Sequence, residues 1–239
     1  MKLNKRLRRI NRGIALAVAL LLALTGYIIY DTVNFGPQKQ EIQTLLTDYL
    51  TALPELNQLP EEYREFGKAV PEEVLQEKIQ ENNESLQELF TYSSRGYNSL
   101  EYMQESFEHA IREQGKGEGF FLDGKVIIRE IAVQKTGPST ADVEATYTII
   151  FDMSGDCYFH NGSYGWDTAD LRGHYTDESQ SDETKLDTTA RRYTEEITWH
   201  LSVVKTQSGW TISDSFGGGS SGVQIEILDS VEKGGFVNG

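Results

Sequence analysis

The chain of 239 residues has a single cysteine, Cys157, and only five prolines. One cysteine excludes an intrachain disulfide framework and a multi-cysteine zinc site. Basic residues are scarce, with 22 Lys and Arg against 37 Asp and Glu, a formal net charge of −15. That balance argues against nucleic acid as a partner, because phosphate backbones are held by cations. Motifs of the G-x-S-x-G, H-E-x-x-H and dinucleotide-binding kinds are missing, and no cofactor is implied. The run Gly217-Gly218-Gly219-Ser220-Ser221-Gly222 precedes no GK[ST] and opens no helix. It therefore reads as a flexible turn or linker and not as a phosphate loop. Apolar residues (38%) and aromatics (10%) suffice for a packed core, which excludes wholesale disorder.

The N-terminus holds the clearest signal. Lys2, Lys5, Arg6, Arg8, Arg9 and Arg12 lie in the first thirteen residues with no acid among them. Residues 14–30 then carry no charge, a length near the lower limit for a membrane-spanning helix. Ala23-Leu24-Thr25-Gly26 is a poor signal-peptidase site, and the apolar run continues through Tyr27, Ile28 and Ile29. An uncleaved signal anchor is thus expected over a cleaved signal peptide. The positive-inside rule puts residues 1–13 in the cytoplasm and residues 31–239 outside. Without the basic tail, 16 basic residues face 37 acidic ones, so the exported part is near −21. Such charge favours solubility, cations or basic proteins.

Residues 31–37 read as a linker, followed by a helical half. Ile42, Leu45, Leu46, Tyr49, Leu50 and Leu53 recur at helical spacing between Pro37 and Pro54, which are expected to open and stop that helix. A short piece follows Pro60, with Tyr63 and Phe66 on one side and Gly67 at its end. Pro71, Glu72 and Glu73 suit a helix start, with Val74, Leu75, Ile79, Leu86, Leu89 and Phe90 inward and Asn82 and Asn83 interrupting. Asn98 and Glu101 resemble a capping box ahead of Leu100, Met103, Phe107, Ala110 and Ile111. Acids such as Glu61 and Glu65 read as a solvated helix face.

After residue 119 the period changes to two. Residues 125–135 and 141–153 predict a long hairpin around Gly137-Pro138-Ser139. Residues 196–206 return through Gln207-Ser208-Gly209 into Trp210-Thr211-Ile212-Ser213-Asp214. The exported domain is placed at 38–216, with a Gly-rich tail over 217–239 and a possible strand at 223–228. The fold class expected is α+β, an N-terminal transmembrane helix and then helices packed on a curved antiparallel sheet. A loop-rich insert spans 154–189, part of which (156–166) could still pair as strand; its length marks it as functional or disordered.

The strand 197–203, the turn at Ser208-Gly209 and the ending Trp210-Thr211-Ile212-Ser213-Asp214 resemble the nuclear transport factor 2-like superfamily over residues 38–216. That resemblance implies a curved sheet wrapped around helices as a cone. With an N-terminal anchor, the layout also resembles inner-membrane assembly factors of conjugation and type IV secretion machines, and small anchored proteins of Gram-positive bacteria. One fold hosts many functions, so this is an analogy of architecture.

The candidate site residues lie in the insert. Tyr158, Phe159, Tyr164 and Trp166 could stack on sugars or anchor a partner chain, or else cap the open end of the core. Cys157, His160 and His174, with Asp156 or Asp167, could ligate zinc, though no established finger has that spacing. A small buried thiol is the simpler account of Cys157. A Cys157–His160 nucleophile pair, or carboxylate pairs Asp152 with Asp156 and Asp167 with Asp170, would suit a hydrolase. His200 falls on the polar face of its strand and His109 beside an apolar helix face. The favoured expectation is a single-pass, membrane-anchored protein whose exported domain binds protein partners of a cell-envelope or secretion complex without catalysis. The alternatives are a small-molecule or envelope-glycan binding module and a hydrolase.

Overall fold

A computed structural model describes residues 12–91, 99–163, 169–170 and 188–228. The chain divides into two units, Met1–Glu41 and Ile42–Gly239. Helix α1 (Arg12–Asn57) supplies the described part of the first and opens the second. In the first unit Ile14, Leu16, Val18, Leu20, Leu21, Leu22, Leu24 and Tyr27 are all exposed, by 52–69%. At 100° per residue they cover the helix except for one sector of about 120°, which Ala15, Ala19, Ala23 and Gly26 fill. Among the described residues no helix is long and apolar enough to cross a membrane; the described side chains of the apolar run stop at Tyr27.

The second unit is α+β. Beyond α1 come a short 3-10 turn (Glu61–Tyr63), α2 (Glu72–Leu89) and α3 (Ser99–Gln114). Strands β1 (Gly119–Gly137), β2 (Thr140–Gly155), β5 (Ala190–Lys205) and β6 (Trp210–Ile227) form one antiparallel sheet in the order β1-β2-β5-β6. Between its hairpins, β3 (Tyr158–Phe159) pairs with β4 (Ala169–Asp170).

Neither Pro37 nor Pro54 bounds the first helix, contrary to expectation: α1 runs through both. Each removes one helical hydrogen bond. The good helix formers after Pro37 carry the helix past it. Around Pro54, burial of Leu53 and Leu56 holds the last turn in place, and the Asn57 amide donates to the Leu53 carbonyl at 2.9 Å. The interruption at Asn82 also has a purpose. Its side chain is buried and donates to the Leu56 carbonyl at 2.8 Å, satisfying an orphan acceptor at the end of α1. Asn98 lies outside the described residues. Leu100, Met103, Phe107, Ala110 and Ile111 are all buried, as their spacing predicts.

The inner face of the sheet carries Val143, Ala145, Tyr147, Ile149, Phe151, Ile197, Trp199, Leu201 and Val203, buried against the helices. Its aromatic rings meet edge to face, apart from the tilted pair Tyr49 and Trp199. Phe121, Phe151, Phe159 and Tyr193 form a chain with centroids 4.9–5.6 Å apart, and Tyr49 lies between Phe90 and Trp199. The outer face is polar, as an antiparallel sheet with one wet side should be. Arg192 holds Asp152 bidentately at 2.7 and 2.8 Å there, and Arg129 reaches Glu196 at 3.1 Å. Three irregularities each in the β1–β2 and β5–β6 pairings bend the outer strands. The glycine run expected as a turn lies instead within β6, because its backbone pairs with Glu196 to His200 of β5.

Gly119 starts β1 where backbone meets backbone. A Cβ there would lie 2.2 Å from the Asp156 carbonyl carbon and 2.3 Å from the Cys157 nitrogen. Gly119→Ala must displace the main chain after β2, so it should destabilise by about 2 kcal/mol or more in urea denaturation, within the range for strained overpacking. A loss under about 0.5 kcal/mol would show that this contact is soft.

Candidate functional site

After Gly155 (φ +63) the chain turns back over the inner face of the sheet as a strap, residues 157–163. Its polar backbone is matched group by group. Asn57 at the end of α1 donates to the His160 carbonyl at 2.9 Å and accepts from the His160 N–H at 2.7 Å. Gln114 at the end of α3 donates to the Asn57 and Tyr158 carbonyls, both at 2.9 Å, and accepts from the Phe121 N–H at 3.0 Å. The phenols of Tyr49 and Tyr147 donate to the carbonyls of Gly162 and Asn161 at 2.8 and 3.1 Å. Gly162 (φ +89) sits against Leu53, whose Cδ1 would lie 2.4 Å from any Cβ placed there. These phenols and amides are thus committed to the strap and are not turned toward a ligand.

His160 is fully buried and packs on Phe107 with centroids 4.8 Å apart. The Gly162 N–H donates to its Nδ1 at 3.0 Å, so the ring is neutral with its proton on Nε2. Among the described residues that Nε2 has no hydrogen-bond partner. Burial lowers the imidazole pKa from 6.5 to about 4.

One interior carboxylate stands apart from the strap. Glu195 is 4% exposed on the inner row of β5 and accepts from the Tyr193 hydroxyl at 3.0 Å. Burial, then the Glu195 charge, raises the Tyr193 phenol, whose donation to a carboxylate ends if it ionises. The same two causes, in the same order, hold Tyr147 well above its ordinary value. On the outer face a groove of about 370 Å³ is lined by Gln134, Asp142, Glu144, His200 and Phe216 among others. His200 faces Glu144 there at 3.4 Å, on the polar side that its strand position predicts.

The expected site residues separate. Phe159 is fully buried between Phe151 and Tyr193, so it caps the core and offers no surface. Tyr158 is half-buried and meets the exposed His109 edge to face at 5.7 Å. Tyr164, Trp166, Asp167 and His174 lie outside the described residues. Cys157 is fully buried, its thiol raised well above the ordinary value by burial, and its Sγ lies 3.4 Å from the Tyr158 carbonyl. A thiol so held is not a thiolate nucleophile. Asp152 is neutralised by Arg192. Among the described residues no three His, Cys, Asp or Glu side chains are grouped to hold a metal.

No family model matches the chain, and no curated protein matches it. Solved structures do. One from Novosphingobium aromaticivorans, a candidate aromatic ring hydroxylase, is 13% identical with a TM-score of 0.39, over 80% of this chain and 94% of that one. A second from the same organism, a candidate scytalone dehydratase, is 12% identical with a TM-score of 0.39, over 83% and 94%. The intermembrane space region of the chloroplast protein ARC6 is 15% identical with a TM-score of 0.26, over 58% and 76%. At these TM-scores the likeness carries no argument about fold, activity or ligand.

The neutral His160 makes stability depend on pH. Its folded pKa of about 4 lies below the free value of 6.5, so the unfolded chain takes up the proton first. The stabilisation is complete above about pH 6.5 and is lost as pH falls toward 4, by about 3 kcal/mol in all. His160→Leu should be less stable than the parent at pH 7 yet lose this part of the slope in urea midpoints between pH 7 and 4.5. Parallel profiles for the two proteins would contradict the assignment.

Proposed function

We propose that this is a single-pass membrane-anchored protein with its N-terminus in the cytoplasm and its α+β unit outside. That unit, of nuclear transport factor 2-like type, serves as a non-catalytic interaction or assembly domain of a cell-envelope or secretion complex. The observation that carries the anchor is the ring of exposed apolar side chains on α1. A helix apolar all round needs an apolar medium. Thr25 fits that medium, because its hydroxyl donates to the Leu21 carbonyl at 2.8 Å within the helix. Residues 14–30 then meet the bilayer, and the six basic residues before them face the cytoplasm. The non-catalytic part rests on the strap, which occupies the inner face, and on the buried, protonated Cys157.

The anchor predicts that full-length protein stays in the membrane pellet through alkaline carbonate extraction and is released by detergent. Release by carbonate alone would remove the anchor from the account. Crosslinking in that membrane, read by mass spectrometry, should return a reproducible set of envelope or secretion proteins. Good bait recovery with no protein attached would shift weight to a ligand.

A second reading has one observation in its favour. Glu195 is a buried carboxylate with a phenol as its donor, so a small ligand carrying an ammonium or hydroxyl group would find an acceptor there. Glu195→Gln would then weaken such a ligand's binding roughly tenfold or more, as for loss of a charge-assisted hydrogen bond. A ligand bound equally by both proteins would place binding elsewhere.

A further inference from the structure

The two edges of the main sheet are treated differently. On β1, the Gln43 amide donates to the Ile131 carbonyl at 2.9 Å, and Gln58 and Arg64 both donate to the Leu122 carbonyl. That strand also carries Asp123, Lys125, Arg129, Glu130 and Lys135. Such charges and caps keep an edge from pairing with other chains. On β6, the edge is covered at Ile212, where Phe90 bridges and the Thr91 N–H donates at 2.8 Å. Beyond Gly222 (φ +67) the strand continues as Val223-Gln224-Ile225-Glu226-Ile227. Val223 is 39% exposed and Ile227 69%, and no described residue pairs with their outer edge. A short run of β-formers with one charge and no proline is the kind that adds to another strand.

We propose that residues 223–227 of β6 pair antiparallel with the same residues of a second copy, about a two-fold axis at Ile225. The sequence is complementary to itself in that register. Val223 faces Ile227 of the second copy, Ile225 faces Ile225, and Gln224 faces Glu226. Apolar side chains meet apolar ones, and a carboxylate meets an amide that can donate to it. This matters in a chain whose residues 31–239 carry a net charge near −21, because most other self-contacts would oppose acid to acid. Moving the register by two, so that Glu226 lies on the axis, sets like charges directly opposite each other. The contact is isologous and closes after two copies.

The test uses the full chain in detergent micelles, with association followed by analytical ultracentrifugation across protein concentrations. A reversible dimer is expected. Gln224→Glu puts an acid opposite each Glu226 and should weaken the dimer roughly fivefold or more, while Gln224→Lys should tighten it by a similar factor. Both substitutions are on the exposed outer row, so unchanged circular dichroism is expected. Engineered disulfides fix the register, because the native thiol is buried. Ile225→Cys should crosslink to itself, and Val223→Cys should crosslink when mixed with Ile227→Cys but poorly alone. A monomer at every concentration, equal effects of Glu and Lys at position 224, or self-crosslinking that ignores position would each overturn the proposal. The result is independent of the membrane reading, since the same measurements serve without detergent if the chain proves not to need it.

Discussion

The end of α1 is joined to the strap by a side chain that behaves as backbone. Asn57 donates to the carbonyl and accepts from the N–H of His160, the paired exchange that two antiparallel strands make. Its other amide hydrogen closes the last turn of its own helix on Leu53. Its carbonyl accepts from Gln114, which in turn holds the strap at Tyr158 and the start of β1 at Phe121. Two buried amides thereby tie two helices, the strap and the sheet together. Each unmet group in such a seam would cost about 1–3 kcal/mol, so the seam holds as a whole or opens as a whole.

The seam decides what the inner face can do. With the phenols of Tyr49 and Tyr147 donating to strap carbonyls and Phe159 inserted among the core rings, that end of the core is filled by the chain itself. The chemistry left over lies away from the seam, in the Glu195 carboxylate, the outer groove at His200, the β6 edge and the apolar surface of α1. Among the described residues, three of these four are surfaces.

Much of the fold was legible. Period-3.6 and period-2 patterns place α2, α3 and the β1–β2 hairpin, and the spacing along α3 picks out its buried residues. Prolines mislead where helix propensity, at Pro37, or packing, at Pro54, outweighs a single lost hydrogen bond, so α1 runs past both. The glycine run misled because low propensity marks a turn only when no neighbour strand supplies pairing, and β5 supplies it. The seam was not legible at all. Asn57, Asn82 and Gln114 are polar residues on helical segments, and nothing local shows that their amides meet carbonyls up to 103 residues away. Glu195 left a trace. It occupies an inward position in the alternation Tyr193, Glu195, Ile197, Trp199, and that break becomes visible once the strand is extended back to Ala190.

Hydrogen exchange of single amides tests the central claim most directly. The His160 and Gly162 N–H groups are bonded to Asn57 Oδ1 and His160 Nδ1, and both residues are buried. Read by NMR under native conditions, both should exchange only through global unfolding, with the same free energy and denaturant dependence as the core amides of β2 and β5. Exchange of either amide through a low-energy local opening, insensitive to denaturant, would show that the strap lifts from the sheet on its own. The inner face would then be a site that opens, and the account of a closed interior would be wrong.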